Sequence, residues 1–287
     1  FKQEMKSFVL SLIGLSCATL VSGQVIITEF SAANYSLGVA GDNEDFVEFH
    51  NLGPTEADLG GYFLSDNPDN SDMFEIPDGT TIAAGGYLLI MCSNEGEVPE
   101  LLYTGGYLNT NFKVTQTIGE SVVFSDPDGN ILESYTFGVD WTPNQADHSW
   151  VRSEDGTNTW KLCTNPTPEA PISVGNPELF DDYAPTPEFQ EQSGYYAGGV
   201  NVTLSAPAGF DIRYTTNGYA PTATDPLYTG PIAINETTVV RARSYDSTGT
   251  LADSHITTNT YFTGGDSHSM MVVSATGDEL EDGNWPG

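Results

Sequence analysis

Between residues 25 and 176 the chain repeats one pattern: a short apolar strand, a Gly, Asp or Pro turn, then another strand. It runs Val25-Ile-Ile-Thr-Glu-Phe30, Asp45-Phe-Val-Glu-Phe-His-Asn51, Leu59-Gly-Gly-Tyr-Phe-Leu-Ser-Asp66 and Ile82-Ala-Ala-Gly-Gly-Tyr-Leu-Leu-Ile90. Gly119-Glu-Ser-Val-Val-Phe-Ser-Asp-Pro-Asp-Gly129 and a closing Pro166-Thr-Pro168 follow. Short strands with turn chemistry between them and no helical period predict an all-β sandwich or barrel. Tyr87-Leu-Leu-Ile-Met-Cys92 is apolar on both strand faces, which marks a central strand covered on both sides. Val122 and Phe124 share one face, Asp126-Pro-Asp-Gly129 makes the turn, and residues 131–137 return as the second arm of a hairpin.

After a polar, Pro-containing linker at residues 177–186 the alternation becomes cleaner. Val200, Val202 and Leu204 oppose Asn201, Thr203 and Ser205; Phe210, Ile212 and Tyr214 oppose Asp211, Arg213 and Thr215. One buried and one wet face predict a second small antiparallel sandwich over residues 187–263. The expected architecture is all-β, two tandem immunoglobulin-like sandwich domains, the first at residues 24–176.

Charge narrows the partners. The chain holds 8 basic and 40 acidic residues, a net charge of −32. Nucleic-acid affinity comes largely from Lys and Arg neutralising phosphates, so duplex DNA and RNA are excluded as partners, and anionic lipid surfaces are disfavoured. Such acidity suits solubility or the capture of divalent cations.

The N-terminus points to export. Lys6 precedes the apolar stretch Phe8-Val-Leu-Ser-Leu-Ile-Gly-Leu15, and Val21-Ser-Gly23 supplies small residues before Gln24. Residues 1–23 are then a signal peptide starting at Met5 together with the upstream residues Phe1 to Glu4, and the apolar segment is too short to span a bilayer. Gly14 argues against lipid attachment at Cys17, since an aliphatic residue is preferred there. No later segment has an apolar run suited to a membrane span. Removing the signal leaves 6 basic and 39 acidic residues and two cysteines, Cys92 and Cys163. In an oxidising compartment a Cys92–Cys163 disulfide is the expectation, against two separate buried thiols.

The ordered blocks of the first region resemble the lamin-tail domain, an immunoglobulin-like sandwich common in secreted bacterial proteins. They are Thr28-Glu29, Phe46-Val-Glu-Phe-His-Asn51, Leu59-Gly-Gly-Tyr62, Ala84-Gly-Gly-Tyr87, residues 119–129, Trp160 and Thr167-Pro168. Glu169 stands where that family usually has Gly, and Thr28 where it usually has Asn. The resemblance implies binding or a spacer role outside the cell, with no catalytic residue to transfer. In the second region, Tyr214-Thr-Thr-Asn-Gly218, Pro221-Thr222, Pro226-Leu-Tyr228, Gly230-Pro231 and residues 238–246 resemble the C-terminal β-sandwich of chitobiases and hexosaminidases. There the module is an accessory to a separate catalytic barrel, so the resemblance does not imply a glycosidase. His268-Ser-Met-Met-Val-Val-Ser274 is similar to the entry of a CotH-type kinase domain.

Three residue groups could carry a function. Asp42, Glu44 and Asp45 in one loop, and Asp66, Asp69 and Asp72 in another, offer hard oxygen donors for calcium, although Asp is also an ordinary turn residue. Tyr195, Tyr196, Tyr219 and Tyr228 could stack on sugar rings or fill the sandwich core. The four histidines are scattered, and no H-E-x-x-H helix, G-x-S-x-G elbow or phosphate loop is present. The expected function is non-catalytic extracellular binding, adhesion or spacing in a larger secreted or cell-surface bacterial protein, acting on an extracellular protein or polysaccharide. Rival readings are an accessory region of an enzyme whose catalytic domain lies beyond residue 287, and a carbohydrate-binding module.

Overall fold

The computed structural model describes residues 24–38, 43–97, 102–152, 157–172 and 178–264. In chain order the strands of the first module are β1 (Val25–Ser31), β2 (Phe46–Asn51), β3 (Ala57–Asp58), β4 (Phe63–Ser65), β5 (Phe74–Glu75), β6 (Thr81–Ile82) and β7 (Tyr87–Met91). There follow β8 (Tyr103–Thr104), β9 (Tyr107–Asn109), β10 (Ser121–Ser125), β11 (Ile131–Thr136), β12 (Ser149–Arg152), β13 (Trp160–Cys163) and β14 (Leu179–Phe180). They build an eight-stranded sheet, β14-β13-β12-β1-β2-β7-β9-β8, facing a four-stranded sheet, β11-β10-β4-β5, while β3 and β6 pair separately as a two-stranded ladder. The expected all-β sandwich is what forms.

Between the sheets lie Val47, Phe49, Ile90, Val122 and Phe124, inward positions of the period-two pattern, with Ile27 and Phe30, which both reach the core because a register shift between Ile27 and Glu29 interrupts that pattern on β1. Trp141 anchors one end, stacked on Phe30 at 4.5 Å and Tyr135 at 4.8 Å and edge-on to Trp160 at 4.8 Å. β7 is the doubly covered strand that its sequence predicts. Ile90 joins the main core, whereas Leu89 and Met91 pack with Phe46 on the outer face of the sheet.

Two expected strands are shorter than the apolar runs that announced them. The run from Ile82 to Ile90 splits into β6 and β7, because Ala83-Ala-Gly-Gly86 turns: Gly86 N–H donates to Ala83 O at 2.8 Å and Gly85 has φ 67°. Gly60-Gly61 similarly keeps Leu59 and Tyr62 out of β4, and Leu59 is fully buried without being in a strand. Pro166-Thr-Pro168 forms no strand.

The second module comprises β15 (Glu188–Phe189), β16 (Gly194–Tyr196), β17 (Val200–Val202), β18 (Leu204–Ser205), β19 (Phe210–Thr215), β20 (Ile232–Ile234), β21 (Thr238–Asp246) and β22 (Thr257–Thr263). A four-stranded sheet, β16-β22-β21-β19, faces the ladders β17-β20 and β15-β18. Val202, Leu204, Ile212, Val240 and Tyr261 form its core.

The disulfide expectation fails. Cys92 and Cys163 are separate, buried free thiols. Cys163 lies in β13, while Cys92 directly follows β7, four positions away in the sheet order. Four strand spacings are roughly 19 Å, against a Cα separation of at most about 7 Å in a disulfide. The thiols also sit on opposite faces: Cys92 is part of the inter-sheet core, whereas Leu162, next to Cys163, takes the inward position on β13.

Candidate functional site

A pair of carboxyl groups is buried on the outer face of the large sheet. In the β1–β2 ladder Glu29 is the direct partner of Glu48. Ser149 Oγ donates to Glu29 Oε1 at 2.6 Å from β12, the strand on the other side of β1. The remaining donors come from Asn165-Pro-Thr-Pro-Glu169, which lies back over the sheet after β13. Its two prolines have no N–H and favour extended backbone before them, so residues 166–169 offer just two amide donors. Both are used on the pair. Thr167 N–H donates to Glu29 Oε1 at 3.3 Å, and Glu169 N–H donates to Glu48 Oε2. Glu169 adopts φ 63°, a left-handed conformation at the position where glycine was expected, and its own carboxylate accepts from Tyr107 Oη at 2.6 Å.

Burial without a cation raises both acids. Glu29 is pushed up to about 7 by desolvation, opposed by the Ser149 and Thr167 bonds. Glu48 is pushed up to about 9 by desolvation and then by the charge of Glu29. Two adjacent carboxyls in such a site hold their last proton as a pair. The signal was present in the sequence, since Thr28-Glu29 and Phe46-Val-Glu48 are apolar strands each interrupted by one Glu. Alternation alone reads such residues as solvent-facing.

The segment expected as a linker is packed between the modules. Tyr183 is buried in the first module's core and bridges to Ala252 of the second. Ala184 N–H donates to Ala252 O at 2.7 Å, Ala252 N–H to Asp182 O at 2.9 Å, and Asp181 N–H to Thr250 O at 3.0 Å. The Tyr183 ring stacks on His148 and meets His255 edge-on at 4.9 Å, while its hydroxyl accepts Gln145 N–H at 2.8 Å. Arg243 of β21 donates to Gln145 Oε1 at 2.8 Å, and Gln145 Nε2 donates to Asp253 O at 2.8 Å. Burial, then the nearby Arg243, pushes His148 down to about 4, and burial likewise lowers His255. Open crevices of about 370 and 570 Å³ flank Arg243 on either side.

The residues singled out from sequence do not assemble. Asp42 lies outside the described residues. Among the described residues no three His, Cys, Asp or Glu side chains form a metal-binding group. Glu44 instead pairs with Lys113 at 3.1 Å, and Asp45 accepts Asn34 N–H at 2.8 Å and is raised to about 7 by burial. Asp66, Asp69 and Asp72 surround a 3₁₀ turn at Pro68–Asn70, capped by Asn67.

The four tyrosines split into two kinds. Tyr196 and Tyr228 pack against the second core. Tyr195 and Tyr219 are half exposed, but Tyr195 is on β16 and Tyr219 follows β19, the opposite edges of the sheet. Three strand spacings, about 14 Å, separate those edges, so the two rings share no platform. Tyr214, not singled out beforehand, lines an open groove of about 600 Å³ with Asn217, Asp225, Pro226, Ile234 and Glu236. Residues 1–23, expected to carry a signal peptide, with Cys17, and the stretch from His268 onward lie outside the described residues.

Two family models match the chain. Residues 19–138 match the Lamin Tail Domain, and residues 191–258 match the Chitobiase/beta-hexosaminidase C-terminal domain. Both are immunoglobulin-like β-sandwich modules without catalytic machinery of their own. The eight-stranded sheet extends past the first match, since β12, β13 and β14 complete its edge. No curated protein matches the chain. No helix among the described residues is long and apolar enough to cross a membrane.

Proposed function

We propose that this chain is a non-catalytic extracellular unit. It holds two immunoglobulin-like modules at a set angle, as a spacer and presentation segment of a secreted or cell-surface protein that engages an extracellular protein or polysaccharide. The observation that carries this reading is Tyr183, a residue of the connecting segment buried in the first core and bridged to Ala252 of the second module. A flexible tether would leave such a residue in water; a rigid spacer needs it packed. Arg243, Gln145 and Asp253 brace the same junction. The acidic surface fits this role, because the six cations of residues 24–287 are each engaged within the chain. Lys113, Arg152, Lys161 and Arg243 pair with acids, while Arg213 and Arg241 donate to the carbonyls of Asp225 and Gly218.

Residual dipolar couplings of residues 24–264 test the reading. Both modules should report one alignment tensor, and Tyr183→Ala with Arg243→Ala should separate the tensors. Two independent tensors in the unmodified chain would refute a rigid spacer. The description of the second match with chitobiases supports one further reading, an accessory region that positions a glycan for an enzyme. Hydrolysis of chitin-type oligosaccharides by this chain alone would overturn the non-catalytic assignment.

A further inference from the structure

The Glu29–Glu48 pair and the segment over it form a device that neither module's role as a spacer requires. Thr164 still extends the β13–β14 ladder, donating its N–H to Glu178 O at 3.1 Å and its hydroxyl to Glu178 Oε2 at 3.2 Å, whereas beyond it the two amide donors of residues 166–169 both end on the acid pair. Desolvated by that cover, the pair faces Ser149 from β12, Cys163 from β13, and Thr167 and Glu169 from the segment itself. Glu169 is in turn held by Tyr107 of β9. His50, two residues along β2, is stacked on Tyr87 of β7, and Lys161 of β13 is paired with Asp181. Glu178 adds a further negative charge near Cys163. No lysine or arginine is among the groups acting on either member of the pair.

We propose that residues 165–172 are a proton-controlled strap, closed over the sheet while the Glu29–Glu48 pair keeps a proton and released when both carboxyls ionise. The balance is a simple one. Closing excludes water from two adjacent carboxyls, which is tolerable with one shared proton and unfavourable with two negative charges. Opening hydrates both and restores their ordinary acidity. The open-to-closed ratio therefore rises by up to about tenfold per pH unit for each proton that the closed form retains and the open form has lost. Glu29 and Glu48 are raised from 4.5 to about 7 and about 9 in the closed form, so the strap weakens from about pH 4.5 upward until both carboxyls have ionised, and pH 6–9 is the upper part of that window.

The strap also covers a reporter. Cys163 lies two residues before its start, is fully buried, and accepts an N–H from Asn165 of the strap. Cys92, buried in the core between the sheets, is an internal reference that only global unfolding exposes. The experiment is alkylation of the full chain by N-ethylmaleimide at pH 6–9, read at each cysteine by peptide mass spectrometry, beside the Glu29→Gln/Glu48→Gln variant. Glutamine keeps an acceptor for each amide and removes both protons from the titration. The thiolate fraction rises with pH in both proteins, and the Glu29 charge, present only in the unmodified chain, raises the Cys163 pKa and can only slow its labelling; a climb in the ratio of unmodified to variant labelling rates therefore reports the strap.

That ratio should be near one at pH 6 and climb at least tenfold by pH 9, with Cys92 unlabelled throughout. A ratio that stays within twofold, or Cys92 labelled in step with Cys163, overturns the proposal. Amide exchange at Thr167 and Glu169 tests the strap in the unmodified chain, without any variant. Protection corrected for intrinsic exchange should fall across the same window, and pH-independent protection overturns the strap.

Discussion

Glu133 joins the two sheets of the first module, and its removal has a calculable cost. The β1–β12 ladder pairs Glu29 with Val151 and Phe30 with Trp150 and goes no further toward Ile27. The backbone of Ile27 is served by side chains instead: its N–H donates to Glu133 Oε2 at 3.0 Å and its C=O accepts Arg152 Nη1 at 3.4 Å. Arg152 Nη1 also meets Glu133 Oε1 at 2.6 Å, with the two side chains only 8% and 13% exposed. Glu133→Ala strands a buried guanidinium and a buried amide together. Losing one member of a buried ion pair costs about 3–5 kcal/mol, a figure that includes most of the roughly 1–3 kcal/mol for an unsatisfied N–H. Glu133→Gln keeps an acceptor for Ile27 and forfeits only the charge, so its cost should be about half as large. Urea unfolding of residues 24–264, which leaves out Trp285, followed by tryptophan fluorescence isolates this module, because Trp141, Trp150 and Trp160 all belong to it and Arg152 lies 5.9 Å from the Trp160 ring. A loss below about 1 kcal/mol for Glu133→Ala would refute the account, since surface pairs typically give that little.

Thiol titration at pH 6, where the strap is closed, should find neither Cys92 nor Cys163 reactive in the folded protein and both reactive in denaturant without reductant; no reactive thiol after unfolding would mean that they are bridged after all. The melting temperature should rise as pH falls from 9 to about 5. Glu29 and Asp45 (each raised to about 7) and Glu48 (raised to about 9) keep protons that the unfolded chain has lost, so stability declines as pH rises through those values. His148, lowered to about 4, and His255, also lowered by burial, oppose this, because the stability of their neutral forms is lost as pH falls below 6.5; calorimetry showing a net rise in melting temperature toward alkaline pH would contradict the balance. Glu169→Gly should leave stability unchanged or improve it by up to about 1 kcal/mol, because it relieves the left-handed φ while the amide bond to Glu48 survives. A clear loss in urea titrations would show that the exposed Tyr107 contact matters more than the strain.

Much of the fold was legible because alternation and turn chemistry are local. Val122 and Phe124 face the core, and Gly129, with φ 81°, closes the hairpin that Asp126-Pro-Asp-Gly announces. The errors share a physical cause. Apolar residues such as Leu59 are buried from turns as well as from strands, so an apolar run overstates strand length. Pairing of Cys92 with Cys163 depended on sheet order, and β13 lies at the far side of β12, β1 and β2 from β7 although nothing in the spacing says so. Tyr183 looked like a linker residue because a linker and a packed junction have the same composition; only Ala252, about seventy residues on, distinguishes them. The acid pair was hidden for another reason. A single Glu in an apolar strand is ordinary on a wet face, and the cover arrives more than a hundred residues later.

The handling of carboxylates explains how so acidic a chain folds with so few cations. With 6 basic residues against 39 acidic ones in residues 24–287, ion pairing serves only a small minority. Several of the remaining acids, Asp126, Asp225, Asp246, Glu29 and Glu48 among them, are matched to backbone amides and hydroxyls, which every chain has in abundance. On the surface this lowers their pKa: Asp246 accepts the amides of Thr248, Thr250 and Leu251 and is held down to about 2, and Asp126 and Asp225 are held low by Asn130 and Thr222. These acids fix turns in both modules and stay charged. In the interior the same kind of bond is too weak to offset desolvation, so Glu29, Asp45 and Glu48 move the other way. The same side-chain chemistry thus divides by burial into permanent turn caps outside and proton-holding groups inside. The interior set is where this protein's response to pH is concentrated.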